Sequence, residues 1–143
     1  MAKTIGAAVL VWLLVGQVAF ADETAPNTLR FMVYRNAAEI ESAVSARQAE
    51  LGASIVHYSL QIQFGTEVEW QNACSWLESQ TENASKVFVP AQTSVAETKF
   101  YCLYWQRQSS VSVQAISEAQ ALIDNFVTSF GGSPAPWLFV FED

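Results

Sequence analysis

The chain is short of the residues on which most chemistry is built. Its 143 residues hold one histidine, His57, two cysteines, Cys74 and Cys102, and seven basic residues against fourteen acids. A lone histidine, with no Ser-His-Asp signature and no Gly-x-Ser-x-Gly, offers no set of nucleophile, base and orienting group. Two cysteines and one distant histidine lack the ligand spacing of a metal site, so no metal is expected. The six glycines form no phosphate-cradling pattern, and no cofactor is expected. No basic run is present, which argues against nucleic acid, because that partner needs a positive footprint. Carboxylates do fall in pairs, at Glu39/Glu41, Glu67/Glu69 and Glu142/Asp143. Glu67 and Glu69 sit where a helix begins, and the macrodipole favours acids there. The balance of these absences is a non-catalytic protein.

Long apolar runs are also scarce. The one at the N-terminus reads MAKTIGAAVLVWLLVGQVAFADE, with Lys3 its only charge before Asp22. A short basic start, an apolar run from Ile5 to about Val15 and an Ala19-Phe20-Ala21 site make a signal peptide over residues 1–21. The run is too short for a span of ~20 residues. The expected product is an exported chain, periplasmic or secreted, with no membrane association after cleavage. The mature chain would be residues 22–143. Loss of Lys3 takes the net charge from −7 to −8. An acidic surface aids solubility and favours a basic partner.

In an exported chain an even pair of cysteines reads as a disulfide. Cys74–Cys102 would close a loop of about 29 residues and contribute roughly 3–4 kcal/mol on the chain-entropy estimate. Two buried free thiols are the alternative.

Residues 22–28, DETAPNT, read as a flexible polar tail. One α+β domain is expected over 29–143. LRFMVYR suits a strand over Leu29–Arg35. Asn36 with Glu39 then forms a capping-box arrangement, and a helix with a thin, alanine-rich apolar face runs to Leu51, with Gly52 as its stop. Ile55–Phe64 alternates strictly: Tyr58, Leu60, Ile62 and Phe64 against His57, Ser59, Gln61 and Gln63. Thr66 and Glu69 open a second helix whose stripe is Trp70, Ala73, Cys74 and Leu77. SKVFVPAQ is a short strand that Pro90 confines to an edge or ends. KFYCLYWQRQ is an aromatic strand. Ser112 caps the last helix, with Ile116, Ala119, Ile123, Phe126 and Phe130 on one side, and the Gly131-Gly132 pair ends it. WLFVFE is the closing strand and should lie beside Ile55–Phe64 at the sheet edge. The fold expected is a ferredoxin-like βαββαβ plait with an extra N-terminal strand and helix, both core helices on one sheet face.

This order of elements resembles the regulator of ribonuclease activity B family. So do His57-Tyr58 opening the first core strand, Phe64 ending it, Gly131-Gly132 followed by four residues and Trp137, and the terminal acid Glu142. The resemblance spans about residues 36–143. In place of the family's Tyr-Asp-Gly before the tryptophan stands Pro134-Ala135-Pro136. Founding members of the family are protein inhibitors of a cytoplasmic endoribonuclease, so the resemblance implies the fold and an acidic protein that binds another protein.

If Cys74 meets Cys102, then Phe100, Cys102 and Tyr104 face the helices. Tyr101, Leu103 and Trp105 then share the opposite face with His57 and Gln61. Either the N-terminal strand and helix cover these residues, or they form a protein-binding patch. The expected function is an exported, non-catalytic protein-binding domain of inhibitor or immunity type. The alternative is a small-ligand-binding domain with its pocket between the open face and the N-terminal helix.

Overall fold

Strand pairing places every long strand in one antiparallel sheet. The structure is a computed structural model, and it describes residues 27–92 and 97–143. The expected signal peptide lies outside these residues. The strands are β1 (Thr28–Phe31), β2 (Ile55–Phe64), β3 (Ala84–Val89), β4 (Lys99–Gln108), the two-residue β5 (Ser133–Pro134) and β6 (Trp137–Glu142). The helices are α1 (Ala37–Leu51), α2 (Glu67–Gln80) and α3 (Val113–Phe130). The sheet runs β1-β6-β2-β4-β3, with β5 attached to β2. This α+β arrangement is compatible with a plait.

The helix boundaries follow local hydrogen bonding. Asn36 accepts from the Ala38 and Glu39 amides at 2.9 and 3.1 Å. The Glu39 carboxylate turns to Arg35 instead of closing the capping box, at 3.1 Å. Thr66 caps α2 by accepting from the Glu69 amide at 3.2 Å and donating its hydroxyl to the Glu69 carboxylate at 3.0 Å. Ser112 caps α3 through the Ala115 amide at 3.1 Å. Each satisfies a backbone donor that the helix start leaves without a partner.

The main core lies between the sheet and all three helices. Val56, Tyr58, Leu60, Ile62 and Phe64 of β2 enter it with Cys102 and Tyr104 of β4 and Trp137, Phe139 and Phe141 of β6. Ile40 and Val44 of α1, the α2 stripe and Ile116, Ala119, Ile123 and Phe126 of α3 meet them. The Cys74–Cys102 disulfide ties α2 to β4 across this layer, with the Cα atoms 5.5 Å apart.

One expectation about the N-terminal unit is corrected, and one of its two alternatives is decided. The strand is shorter than Leu29–Arg35 and begins one residue earlier, at Thr28. Its remainder turns at Met32, whose carbonyl accepts from the Arg35 amide at 3.0 Å. This unit does not cover the helix-free face. β1 widens the sheet by pairing with β6, from Thr28↔Val140 to Phe31↔Trp137, so β6 is not an edge strand. α1 packs on α3. The physical cause is a set of clamps on the turn. The Trp137 indole donates to the Val33 carbonyl at 3.1 Å, and the Gln120 amide reaches the Val33 and Arg35 carbonyls at 3.1 and 2.7 Å.

The glycine pair splits its duties. Gly131 ends α3 in the left-handed region, at φ 78°. Gly132 supplies room: a Cβ there would collide with the Ile62 side chain and sit 2.7 Å from the Phe64 ring. That close approach brings the chain onto β2, where Ser133 and Pro134 pair with Gln63 and Ile62, and the Ala135 amide donates to the Gln61 carbonyl at 2.8 Å.

Candidate functional site

Alternation fixes what the other side of the sheet carries. The residues opposite the main core are Tyr101, Leu103, Trp105 and Arg107 on β4, and His57, Ser59, Gln61 and Gln63 on β2. Leu138 and Val140 follow on β6, Thr28 and Arg30 on β1, and Ser85, Val87 and Val89 on β3. Register sets Gln61 beside Leu103, Ser59 beside Trp105 and His57 beside Arg107. From the other flank, His57 pairs with Val140 and Ser59 with Leu138. The five residues expected to form a patch, His57, Gln61, Tyr101, Leu103 and Trp105, are therefore neighbours on one face.

Sequence reading left out much of the apolar content of this face. Val87, Leu103 and Trp105 form a second buried cluster, with Tyr101 packed against it. Leu138, Val140 and Val89 are buried too. The clue was in β6, where both alternating halves, Trp137-Phe139-Phe141 and Leu138-Val140, are apolar. A strand apolar on both sides is one that expects cover on both sides. Leu103 is 0% exposed and Trp105 5%. Among the described residues, no helix lies on this side.

Two polar features stand out. The Trp105 indole N–H is buried with no hydrogen-bond partner among the described residues. A donor left so costs about 1–3 kcal/mol until an acceptor meets it. His57 is 7% exposed. Burial lowers its pKa below the ordinary imidazole value, Glu142 opposes that shift and Arg107 adds to it. A neutral imidazole on an apolar face is a packing and hydrogen-bonding group. No cluster of three or more metal-ligating side chains occurs among the described residues.

The charges are sorted by face. Arg30, Lys99 and Arg107 stand at helix-free positions of the strands, and Glu142 is the one acid among those positions. It lies 3.7 Å from Arg107. Glu39, Glu41 and Glu50 belong to α1, Glu67, Glu69 and Glu78 to α2, and Glu118 and Asp124 to α3. The acidic balance of the composition thus describes the helices. The helix-free face is apolar with a basic rim, which replaces the expectation of a basic partner at this patch.

The pocket expected between this face and the N-terminal helix has no place in the fold, since α1 packs on the opposite side. The disulfide fits an oxidising compartment. No helix among the described residues is long and apolar enough to cross a membrane. Comparisons with family models, with curated proteins and with solved structures find no match for this chain.

Proposed function

We propose that residues 22–143 form an exported, periplasmic or secreted, non-catalytic domain that binds another protein through its helix-free sheet face, as an inhibitor or immunity-type factor. The observation that carries this reading is the convergence of His57, Gln61, Tyr101, Leu103 and Trp105 on a side of the sheet with no helix among the described residues. The fold we infer is a ferredoxin-like plait, β2-α2-β3-β4-α3-β6 in chain order and β6-β2-β4-β3 in the sheet, with β1 and α1 added at the N-terminus. The resemblance to the regulator of ribonuclease activity B family supports the same fold and the same class of role.

The face dictates the partner's chemistry. Leu103, Trp105, Leu138 and Val140 call for an apolar contact, Arg30, Lys99 and Arg107 for acids around it, and the Trp105 N–H for an acceptor. Aromatic and arginine side chains of this kind dominate binding energy where they are desolvated.

Immobilised 22–143, presented with the periplasm or medium of its own source, tests the reading. One partner should be retained, lost with Trp105→Ala and weakened by Arg107→Glu. Val68→Ser, on the exposed side of α2, should change nothing. A partner held equally by Trp105→Ala and Arg107→Glu would overturn the assignment of the face.

A further inference from the structure

We propose that two copies of this chain join edge to edge through β3, antiparallel about a two-fold axis at Val87, so that one sheet runs through both copies. The pairing uses a strand edge that the binding role proposed above does not need, so either can fail alone.

β3 ends the sheet. It pairs with β4 on one flank, and no strand among the described residues pairs with the other. One bond tells which backbone groups point outward. The Trp105 amide donates to the Asn83 carbonyl at 3.0 Å, and that pair continues the register Ala84↔Tyr104. In an antiparallel ladder both backbone groups of a residue point the same way, and the direction alternates along the strand. Asn83, Ser85, Val87 and Val89 therefore face β4, whereas Ala84, Lys86 and Phe88 turn their N–H and C=O groups outward. Such a row is a template for another strand unless a charge, a proline or a bulge guards it. Here the Lys86 ammonium is drawn to Glu78 of α2 at 3.1 Å, and Pro90 stands just past the strand's end at Val89. Phe88 is 55% exposed. It is the outermost ring of a row in which it meets Trp70, and Trp70 meets Phe100, at centroid separations of 6.1 and 5.0 Å. At the other end of the sheet β1 offers an edge of only four residues.

Symmetry leaves few registers. Residues directly opposite in an antiparallel pair share a face, so a two-fold axis normal to the sheet passes through one residue and keeps both helix layers on one side. An axis at Lys86 sets two lysines against each other, which is unfavourable. An axis at Ser85 takes Phe88 past the end of the other strand. An axis at Phe88 sets Lys86 opposite Pro90, which has no N–H to donate. An axis at Val87 has none of these faults. Lys86 of one copy and Phe88 of the other then exchange both backbone bonds on either side of the axis, and each exposed ring lies against a lysine stem and cation. On the opposite face Val87 meets its own copy as a pair without backbone bonds, with the Cα atoms about 4.5 Å apart.

Sedimentation equilibrium of 22–143, which contains the whole sheet, all three helices and the Cys74–Cys102 bridge, tests the pairing. A monomer–dimer equilibrium is expected. Phe88→Lys sets a second cation against Lys86 on both sides of the axis and should raise the dissociation constant about tenfold or more. Phe88→Glu meets the same lysine with opposite charge and should bind at least severalfold tighter than Phe88→Lys. Both changes replace an exposed ring, and matching far-ultraviolet circular dichroism checks that the fold is kept. Oxidation of Val87→Cys should yield a covalent dimer. Ser85→Cys should not, because its two copies would stand about 14 Å apart. A monomer at every concentration, equal weakening by Phe88→Lys and Phe88→Glu, or a cross-link through Ser85→Cys and none through Val87→Cys would overturn the proposal.

Discussion

The two sides of one sheet answer to different demands. On the helix side, Tyr58, Trp137 and Phe139 stack and cross at ring separations of 5.0–5.8 Å, and Trp76, Phe126 and Phe130 form a second aromatic group. The polar tips there are satisfied: the Trp137 indole meets Val33 and the Trp70 indole meets the Tyr101 carbonyl at 2.8 Å. On the other side, Trp105 is as buried as Trp70, yet its N–H meets nothing among the described residues. A tryptophan placed for stability has its donor matched. One whose donor is unmatched is suited to a group that arrives from elsewhere. The helix side is a finished core, and the helix-free side is a surface that has been given core residues.

Substitution of the two tryptophans in 22–143 breaks this comparison most sharply. Trp137→Ala should cost about 3–5 kcal/mol, because it removes a core ring and one of the two side-chain hydrogen bonds to the Val33 carbonyl, leaving only that from Gln120. Trp105→Ala in the same chain should cost less, about 1–3 kcal/mol, because the buried ring it removes carries a donor with no partner among the described residues. Urea unfolding followed by circular dichroism gives both values. Equal, large costs would mean that the mature protein packs both sides of the sheet alike.

The disulfide belongs wholly to the helix side. Reduction followed by alkylation of Cys74 and Cys102, or the double change Cys74→Ala/Cys102→Ala, should lower stability by roughly 3–4 kcal/mol, as a loop of this length implies. The loss should be the same in wild type and in Trp105→Ala, because the bridge lies in the core on the helix side of the sheet and Trp105 on the other side. A loss that differed between the two chains would tie the helix core to the other face and erase the contrast.

Much of the helix side was legible in the sequence. The stripes Trp70-Ala73-Cys74-Leu77 and Ile116-Ala119-Ile123-Phe126, the three caps and the alternation of Ile55–Phe64 are local patterns, and each is set by neighbours within a few residues. Pairing Cys74 with Cys102 fixed which half of β4 faces the helices, and that in turn gathered the patch residues on one side. The position of the N-terminal unit was not legible. It depends on Trp137 and Gln120 reaching back 104 and 87 residues to Val33, and no local signal encodes such bonds. The charge sorting was hidden for a related reason. A net charge does not say which face carries it. The Gly131-Gly132 pair was read as a helix stop, which is right for Gly131 alone. The role of Gly132 is contact with Ile62 and Phe64, and that appears only once the strand is in place.

His57 gives the smallest effect and the finest probe of the comparison. Its pKa is lowered chiefly by burial, so the folded chain resists the proton that the unfolded chain accepts near the ordinary value of 6.5. The contribution of His57 is therefore fully present above that value. It is lost as pH falls towards the lower folded pKa, because there the unfolded state binds more protons. In 1–143 the urea midpoint should fall between about pH 7.5 and about pH 5.5, a window that brackets the unfolded imidazole. His57→Gln should remove the part of that fall due to this residue and leave the carboxylates' part. An undiminished fall in His57→Gln would show that the imidazole takes its proton alike in the folded and unfolded chain, and burial on this face would then cost His57 nothing.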